Sequence, residues 1–535
     1  MSAVTETSDV ASPVADRMLA ALPAGAHEDF DITGLDRVGL PVHAASFYPA
    51  PDGGPDGVLD SPAGGIGYGA DPLAARLSAL GEMTESAQLS RAVRRSAPVT
   101  ASTAEMRREH GEDGVVDPVT LPVDAGADVD PDRPLRWLPA RRWRDGALAE
   151  QVWLPAEAVA VSDDDVPGGT PADGWLCTPI TNGLGVGQGL AWAVGHGLLE
   201  LLQRDGNGLR FRALDAGDVL DLGPDREQLT DPVSRRALAA FDDAGVEVTV
   251  KLASVDLGVV NVYAVGAEPA GGPRPVHPLV VTAAGEGTSP DREVAVRKAL
   301  LELASSRVRK VFTHGPVAAV DALAPRGYRR RWQAHHTSTE EDRTLQATQA
   351  WLAMDADALR QVLAATSFSH RTSTRLDSLP EQPQLRGSSP DVDWVALTAL
   401  VVDRLAGAGL DDVLVVDASP DVADLHAVKV VVPGLEVETL SYGRIGERNA
   451  ARLLQRLDAG DEQVRGLLGR GSVGPATGRS GVVDPIPPDA AGVRLSVAAT
   501  ERLGGPLWFS RARAAEVVGP LFALYREPGR HLASR

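Results

Sequence analysis

Residues 181–205 read TNGLGVGQGLAWAVGHGLLELLQRD. Glycines at 183, 185, 187 and 189 run straight into an apolar helical stretch that places Glu200, Gln203 and Arg204 within one turn. Such a loop lets backbone N–H groups approach an anion, and the helix N-terminus behind it adds a favourable dipole. A carboxylate one or two turns further in suits a metal-bridged phosphate. Glu200 sits among Leu198, Leu199, Leu201 and Leu202, where an unpaired carboxylate is costly unless a cation meets it. Its neighbour at i+4, Arg204, is an alternative partner.

Two other segments offer acidic helices. Periodic apolar residues predict a helix from Asp71 to about Arg94, with Ser78, Glu82 and Glu85 at i, i+4 and i+7 on one face. Ser289-Pro290 reads as the cap and first turn of a long helix reaching about Phe312, with Glu302 amid leucines in ALLELASSR. Carboxylates stacked on a face repel unless a cation or donor lies between them. Three acidic helices behind turn-rich entries therefore point to a shared Mg2+–phosphate site, since hard cations take oxygen ligands and bridge to phosphates. Phosphate-binding P-loop and Rossmann patterns are absent, as is a nucleophile elbow.

At 535 residues, with 43% apolar and 23% charged side chains, the chain has an ordinary globular composition. Its net charge of −21 argues against nucleic acid or anionic membrane as the main partner. The lone Cys177 excludes disulfides and multi-cysteine metal sites, and its apolar setting reads as a buried structural thiol. Neither a signal peptide nor a run of ~18 apolar residues is visible, so a cytoplasmic protein with no membrane span is expected. His196, His335 and His336 read as packed or surface histidines rather than bases.

The expected fold is α/β, a mixed α+β arrangement in one large domain. Residues 1–24 are expected to be disordered, 25–460 to form the large domain, 461–493 a linker and 494–535 a helical extension. Strands are expected at Leu40–Phe47, Arg136–Trp143, Ala149–Trp153, Val246–Leu252, Val259–Val265, Pro278–Ala283, Val413–Asp417 and Val428–Val432. Residues 109–134, acidic and proline-rich, read as a surface excursion. No repeat of fixed period is apparent.

Five ordered blocks resemble the YcaO family, ATP-dependent enzymes that activate backbone amides of peptides. They are ITGLDRVGLPV (32–42), GYGADPLAARLSALGEMTE (67–85), the 181–205 block, RKALLELASSR (297–307), and the strands VLVVDAS (413–419) with VKVVVPGLE (428–436). The resemblance implies a nucleotide site built from Ser78, Glu82, Glu85, His196, Glu200, Gln203, Arg212, Glu302 and Arg307. Glu82, Glu85, Glu200 and Gln203 are the implied Mg2+ ligands, with ATP and Mg2+ as cofactors. It further implies O-phosphorylation of a peptide or protein amide, giving an azoline, thioamide or amidine. A separate ThiF-like leader-binding protein or TfuA-type protein and a homodimer are implied partners. The chain departs from the family pattern with Tyr68 where Lys is frequent, Ser86 where Arg is common and Ser305 where Gln is frequent. These departures keep a second reading in play, a non-catalytic member that binds a peptide or scaffolds a partner enzyme.

Overall fold

The structure is a computed structural model and describes residues 12–53, 58–166, 168–169, 174–210, 213–215, 217–336, 342–387, 391–437, 443–472 and 486–532. A first antiparallel sheet holds β1 (Gly25–Asp31), β2 (Val42–Pro49) and β3 (Ala63–Tyr68) in that order. A second contains β4 (Val99–Ser102), β5 (Pro134–Arg144), β6 (Ala147–Pro155), β7 (Leu184–Gly187), β13 (Leu414–Asp417) and β14 (His426–Val431), in the order β4-β5-β13-β14-β7 with β6 paired to β5. A third has β8 (Asp218–Asp221), β9 (Glu247–Ser254), β10 (Val260–Ala267), β11 (Ala284–Ser289) and β12 (Ser373–Arg375), in the order β11-β10-β9-β8-β12. Only the β8–β12 pair in that sheet is parallel. The mixed α+β expectation is therefore realised with nearly all-antiparallel sheets, joined by hairpins and long helices rather than βαβ crossovers.

One glycine-rich strand of each sheet leads into a helix that packs on it. These helices are α2 (Pro72–Arg95) after β3, α3 (Leu190–Gly206) after β7 and α5 (Arg292–His314) after β11; α1 is Pro13–Ala21 and α4 is Pro232–Asp243. The strands carry Gly65-Ile66-Gly67, Gly185-Val186-Gly187 and Gly285-Glu286-Gly287. A Cβ at Gly67 would lie 2.0 Å from the amide nitrogen of Ala79. At Gly185 it would lie 2.0 Å from the carbonyl oxygen of Ala193, and at Gly287 2.0 Å from that of Ala295. These glycines thus let a strand backbone touch a helix backbone. Gly183, at φ +84°, also sits against the Val430 carbonyl, where a Cβ would lie 2.2 Å away. The loop expected to approach an anion is spent on close packing, and a strand–helix unit recurs that no fixed sequence period betrays.

Other expectations are corrected. Residues 13–21 form α1 rather than a disordered leader, and Ala15, Met18 and Ala21 pack with Leu80 and Met83 of α2. Residues 1–11 lie outside the described set. The 109–134 segment is no surface excursion: Val115, Val116, Leu121 and Val123 are buried beneath Trp137, Val152 and Leu154. Its aspartates and prolines lie between the apolar anchors and mask them. Pro278–Thr282 is a 3-10 turn, the strand follows at 284–289, and Asp291 caps α5, accepting from Glu293 and Val294.

The expected linker and extension supply a small sheet, in which β17 (Leu507–Ser510) lies between β15 (Leu468–Arg470) and β16 (Ala490–Gly492). Leu507 and Phe509 join Trp351, Leu359, Ile445 and Leu453 in one core cluster, which ties this region to the body.

Gly185→Ala should cost about 2 kcal/mol or more, because neither backbone can yield. Gly407→Ala, at a position where a Cβ meets nothing within 4 Å, should be neutral or stabilising by about 0.5 kcal/mol. Urea unfolding midpoints of the two variants test this; equal midpoints would refute the backbone-contact account.

Candidate functional site

The strand–helix contact dictates where the glutamates go. Ile66 donates its N–H to Glu82 at 2.7 Å, Val186 to Glu85 at 2.9 Å and Glu286 to Glu302 at 3.1 Å. Each donor is the central residue of a Gly-x-Gly strand. Gly183 donates to Glu200 at 3.0 Å. Two backbone donors of the loop expected to cradle an anion, those of Gly183 and Val186, are therefore held by the protein's own carboxylates. Glu85 reaches from α2 to β7 and joins the first unit to the second. Arg204 joins the second to the third, at 3.5 Å from Glu200 and 3.1 Å from Glu286.

Sequence reasoning missed Glu286. Its carboxylate, 7% exposed, accepts from Gln203 at 3.2 Å as well as from Arg204, and contacts Arg210. Arg210 lies 4.4 Å over the Tyr263 ring, and Tyr263 in turn donates to Asp215, which pairs with the buried Lys251. Lys298 was missed as well. It stands four residues before Glu302 on α5, and its charge acts on His196 while Glu200 and Glu302 act on it. The i−4 spacing to Glu302 was the signal available. Tyr68, noted only as a departure, places its hydroxyl 3.4 Å from Glu302.

The electrostatics follow from crowding. Burial, then the like charges of Glu200 and Glu82, hold the Glu85 carboxyl well above the usual carboxylate range. Burial raises Glu82 too, against the Ile66 N–H and the charges of Arg309, Arg530 and Arg204. Glu82 nevertheless keeps accessible surface, so water reaches its carboxylate and offsets part of this effect. Glu302 is pushed up to about 7 by burial and then by Glu286. Desolvation and the charge of Lys298 depress His196, so its imidazole is neutral; with 43% of its side chain exposed, water offsets part of this effect. It lies 3.9 Å from Glu85.

The expected residues divide clearly. Glu82, Glu85, Glu200, Gln203, Glu302 and His196 are gathered around the three helices, and Ser78 is exposed on α2 one turn before Glu82. Arg307 is committed elsewhere, fully buried against Asp36 at 2.8 Å and Glu268 at 2.9 Å, which makes it part of the frame. Arg212 lies outside the described residues. Cys177 is buried, and His336 stacks on Trp332 with ring centroids 3.5 Å apart, both in packing roles.

Mutually repelling carboxylates beside Arg204 and Lys298 fit a divalent cation carrying phosphate. Among the described residues no three His, Cys, Asp or Glu side chains converge as a closed metal cage. That suits Mg2+, which takes one or two carboxylates and completes its shell with water and phosphate oxygens. No helix among the described residues is long and apolar enough to cross a membrane.

An uncharacterized protein of Methanothermobacter thermautotrophicus is 29% identical over 423 residues, spanning 78% of this chain and 91% of its own length. The structure of YcaO from Methanopyrus kandleri bound with AMPPCP and Mg2+ superposes with a TM-score of 0.50 at 21% identity, covering 81% of this chain and 91% of that one. A heterocyclase in complex with substrate and cofactor matches at a TM-score of 0.49 and 18% identity, over 77% of this chain and 50% of its own. The profile of the family described as YcaO cyclodehydratase, ATP- and Mg2+-binding, matches residues 66–436, and this chain belongs to that family.

Proposed function

We propose that the protein activates a backbone amide of a peptide or protein with ATP, at the site where α2, α3 and α5 present Glu82, Glu85, Glu200 and Glu302. The observation that carries this reading is the bracing of all four carboxylates on backbone N–H groups, three of them in strands and one, Gly183, in the turn before β7, which fixes their positions. Bound Mg2+-ATP supplies phosphoryl transfer to the amide oxygen, so that this oxygen departs as phosphate once a nucleophile has attacked the carbonyl carbon.

Glu82, Glu85 and Glu200 hold the metal ions. Gln203, whose amide nitrogen is engaged by Glu286, turns its remaining carbonyl oxygen to the same task. Arg204 and Lys298 offset phosphate charge, and Ser78 and the neutral His196 offer hydrogen bonds at the rim. Arg212 is assigned to the same nucleotide. A side-chain Cys, Ser or Thr as nucleophile gives an azoline, sulfide a thioamide and an amine an amidine. A ThiF-like or TfuA-type protein would deliver the peptide, and the enzyme would act as a homodimer. The scaffold reading rests on Tyr68 and Ser86 and is separated by the same experiments.

A peptide encoded beside this protein, carrying 18O in its backbone amides, tests the reaction. Labelled oxygen should appear in the released phosphate, and Glu200→Ala should slow this by about a hundredfold or more. Unlabelled phosphate alone, or an unaltered peptide, would contradict amide activation.

The pH dependence has a definite sign. Glu302, raised to about 7, faces Glu286 and Tyr68 on one side and Arg204 and Arg309 on the other. Below that value Glu302 is protonated and neutral; above it its negative charge adds to those of Glu82, Glu85 and Glu200 in attracting the Mg2+ they would hold. Affinity for Mg2+-ATP should therefore rise from about pH 6 to about pH 8, and Glu302→Gln should flatten that rise. Fluorescent-nucleotide displacement across this range would measure it, and an unchanged slope in the variant would refute the role of Glu302.

A further inference from the structure

The chain's last described residues fold back onto the C-terminal half of α5. Glu527 sets its carboxylate between Lys310, which it contacts, and His314, 3.1 Å away, on successive turns of α5. His531 donates its backbone N–H to the Thr313 carbonyl at 3.0 Å, lies 3.3 Å from the Tyr328 hydroxyl and is 3% exposed. Two anchors thus bracket Arg530. Its guanidinium stands 4.3 Å over the Trp332 ring and 5.4 Å from that of Phe312. A Cβ on Gly64 would lie 3.3 Å from its Nη2. Gly64 precedes by two residues the Ile66 amide that braces Glu82. Among the described residues, Nη1 of Arg530 is buried without a hydrogen-bond partner.

An arginine held over aromatic rings is oriented but not neutralised. A buried N–H with nothing to donate to is costly, and a phosphate oxygen is the acceptor it forks to best. The surroundings argue for the same ligand. Glu82 is the carboxylate on which the Arg530 charge acts, so a nucleotide on the Glu82 side of the site comes within reach of this cation.

We infer that Arg530, presented by the chain's own C-terminal segment and latched through Glu527 to Lys310 and His314, is a binding residue for a phosphate group of Mg2+-ATP. The inference rests on the nucleotide site proposed above. Residues 527–532 are then a working part of that site, although they lie beyond the 66–436 span of the family match.

Displacement of a fluorescent ATP analogue by Mg2+-ATP, using the full chain as wild type, Arg530→Gln and Arg530→Lys, tests it. Arg530→Gln should weaken binding by about tenfold, and Arg530→Lys should restore most of the loss, since charge persists without the fork. Melting curves accompany each variant, because a purely structural role would lower the melting temperature without lysine rescue. Equal affinity of wild type and Arg530→Gln overturns this inference and leaves the nucleotide site standing. Failure of the folded wild type to bind overturns both. Should Arg530→Gln not fold, Glu527→Gln carries the test: weakened nucleotide binding supports the latch, and unchanged binding overturns it.

Discussion

The structure depends on one contact made three times, a glycine-rich strand pressed against the backbone of the helix that follows it. A Cβ at Gly67, Gly185 or Gly287 would overlap helix backbone atoms, so the distance from strand to helix is set by the absence of side chains. That closeness lets a strand N–H reach a carboxylate on a helix. Glu82, Glu85 and Glu302 are each held by one such bond, and Glu200 by the N–H of Gly183 in the turn before β7. The step from Gly67 to Glu82 and from Gly287 to Glu302 is the same fifteen residues, which gives those two units equivalent geometry.

Those four carboxylates form a strained electrostatic set. Burial raises Glu82, Glu85 and Glu302 above their usual range, reinforced at Glu85 by the charges of Glu200 and Glu82 and at Glu302 by that of Glu286. Arg204 relieves part of the repulsion by pairing with both Glu200 and Glu286. Behind Glu286, Arg210, Tyr263, Asp215 and Lys251 form a buried chain that keeps its carboxylate in place. A divalent cation and its phosphates complete what these residues leave unbalanced. The backbone bracing means that little rearrangement is needed when they arrive.

The sequence made the three acidic helices legible because Glu82, Glu85, Glu200 and Glu302 sit in helices whose apolar periodicity is strong. The strands 413–417 and 428–432 were readable from their short, nearly continuous runs of valine and leucine. The purpose of the glycines was not readable: strand–helix backbone contact and anion cradling use the same residues. Glu286 was invisible because a glutamate in a short strand carries no periodic signal, and its partners come from other elements. Arg307 came into the nucleotide set through the family resemblance, and its helix position does not reveal the buried Asp36 and Glu268 that pair with it. Anchors such as Val115 and Val123 went unnoticed within acidic, proline-rich sequence, and the tail at 527–532 reaches α5 by tertiary contacts alone.

Calorimetric titration of Mg2+-ATP into wild type and Glu85→Gln tests the central claim most directly, because Glu85 is the carboxylate that ties one strand–helix unit to the next. The account predicts saturable, Mg2+-dependent binding by the wild type and at least about tenfold weaker binding by a normally folded variant. Equal affinities, or no binding by a folded wild type, would contradict a single nucleotide site built across the three helices.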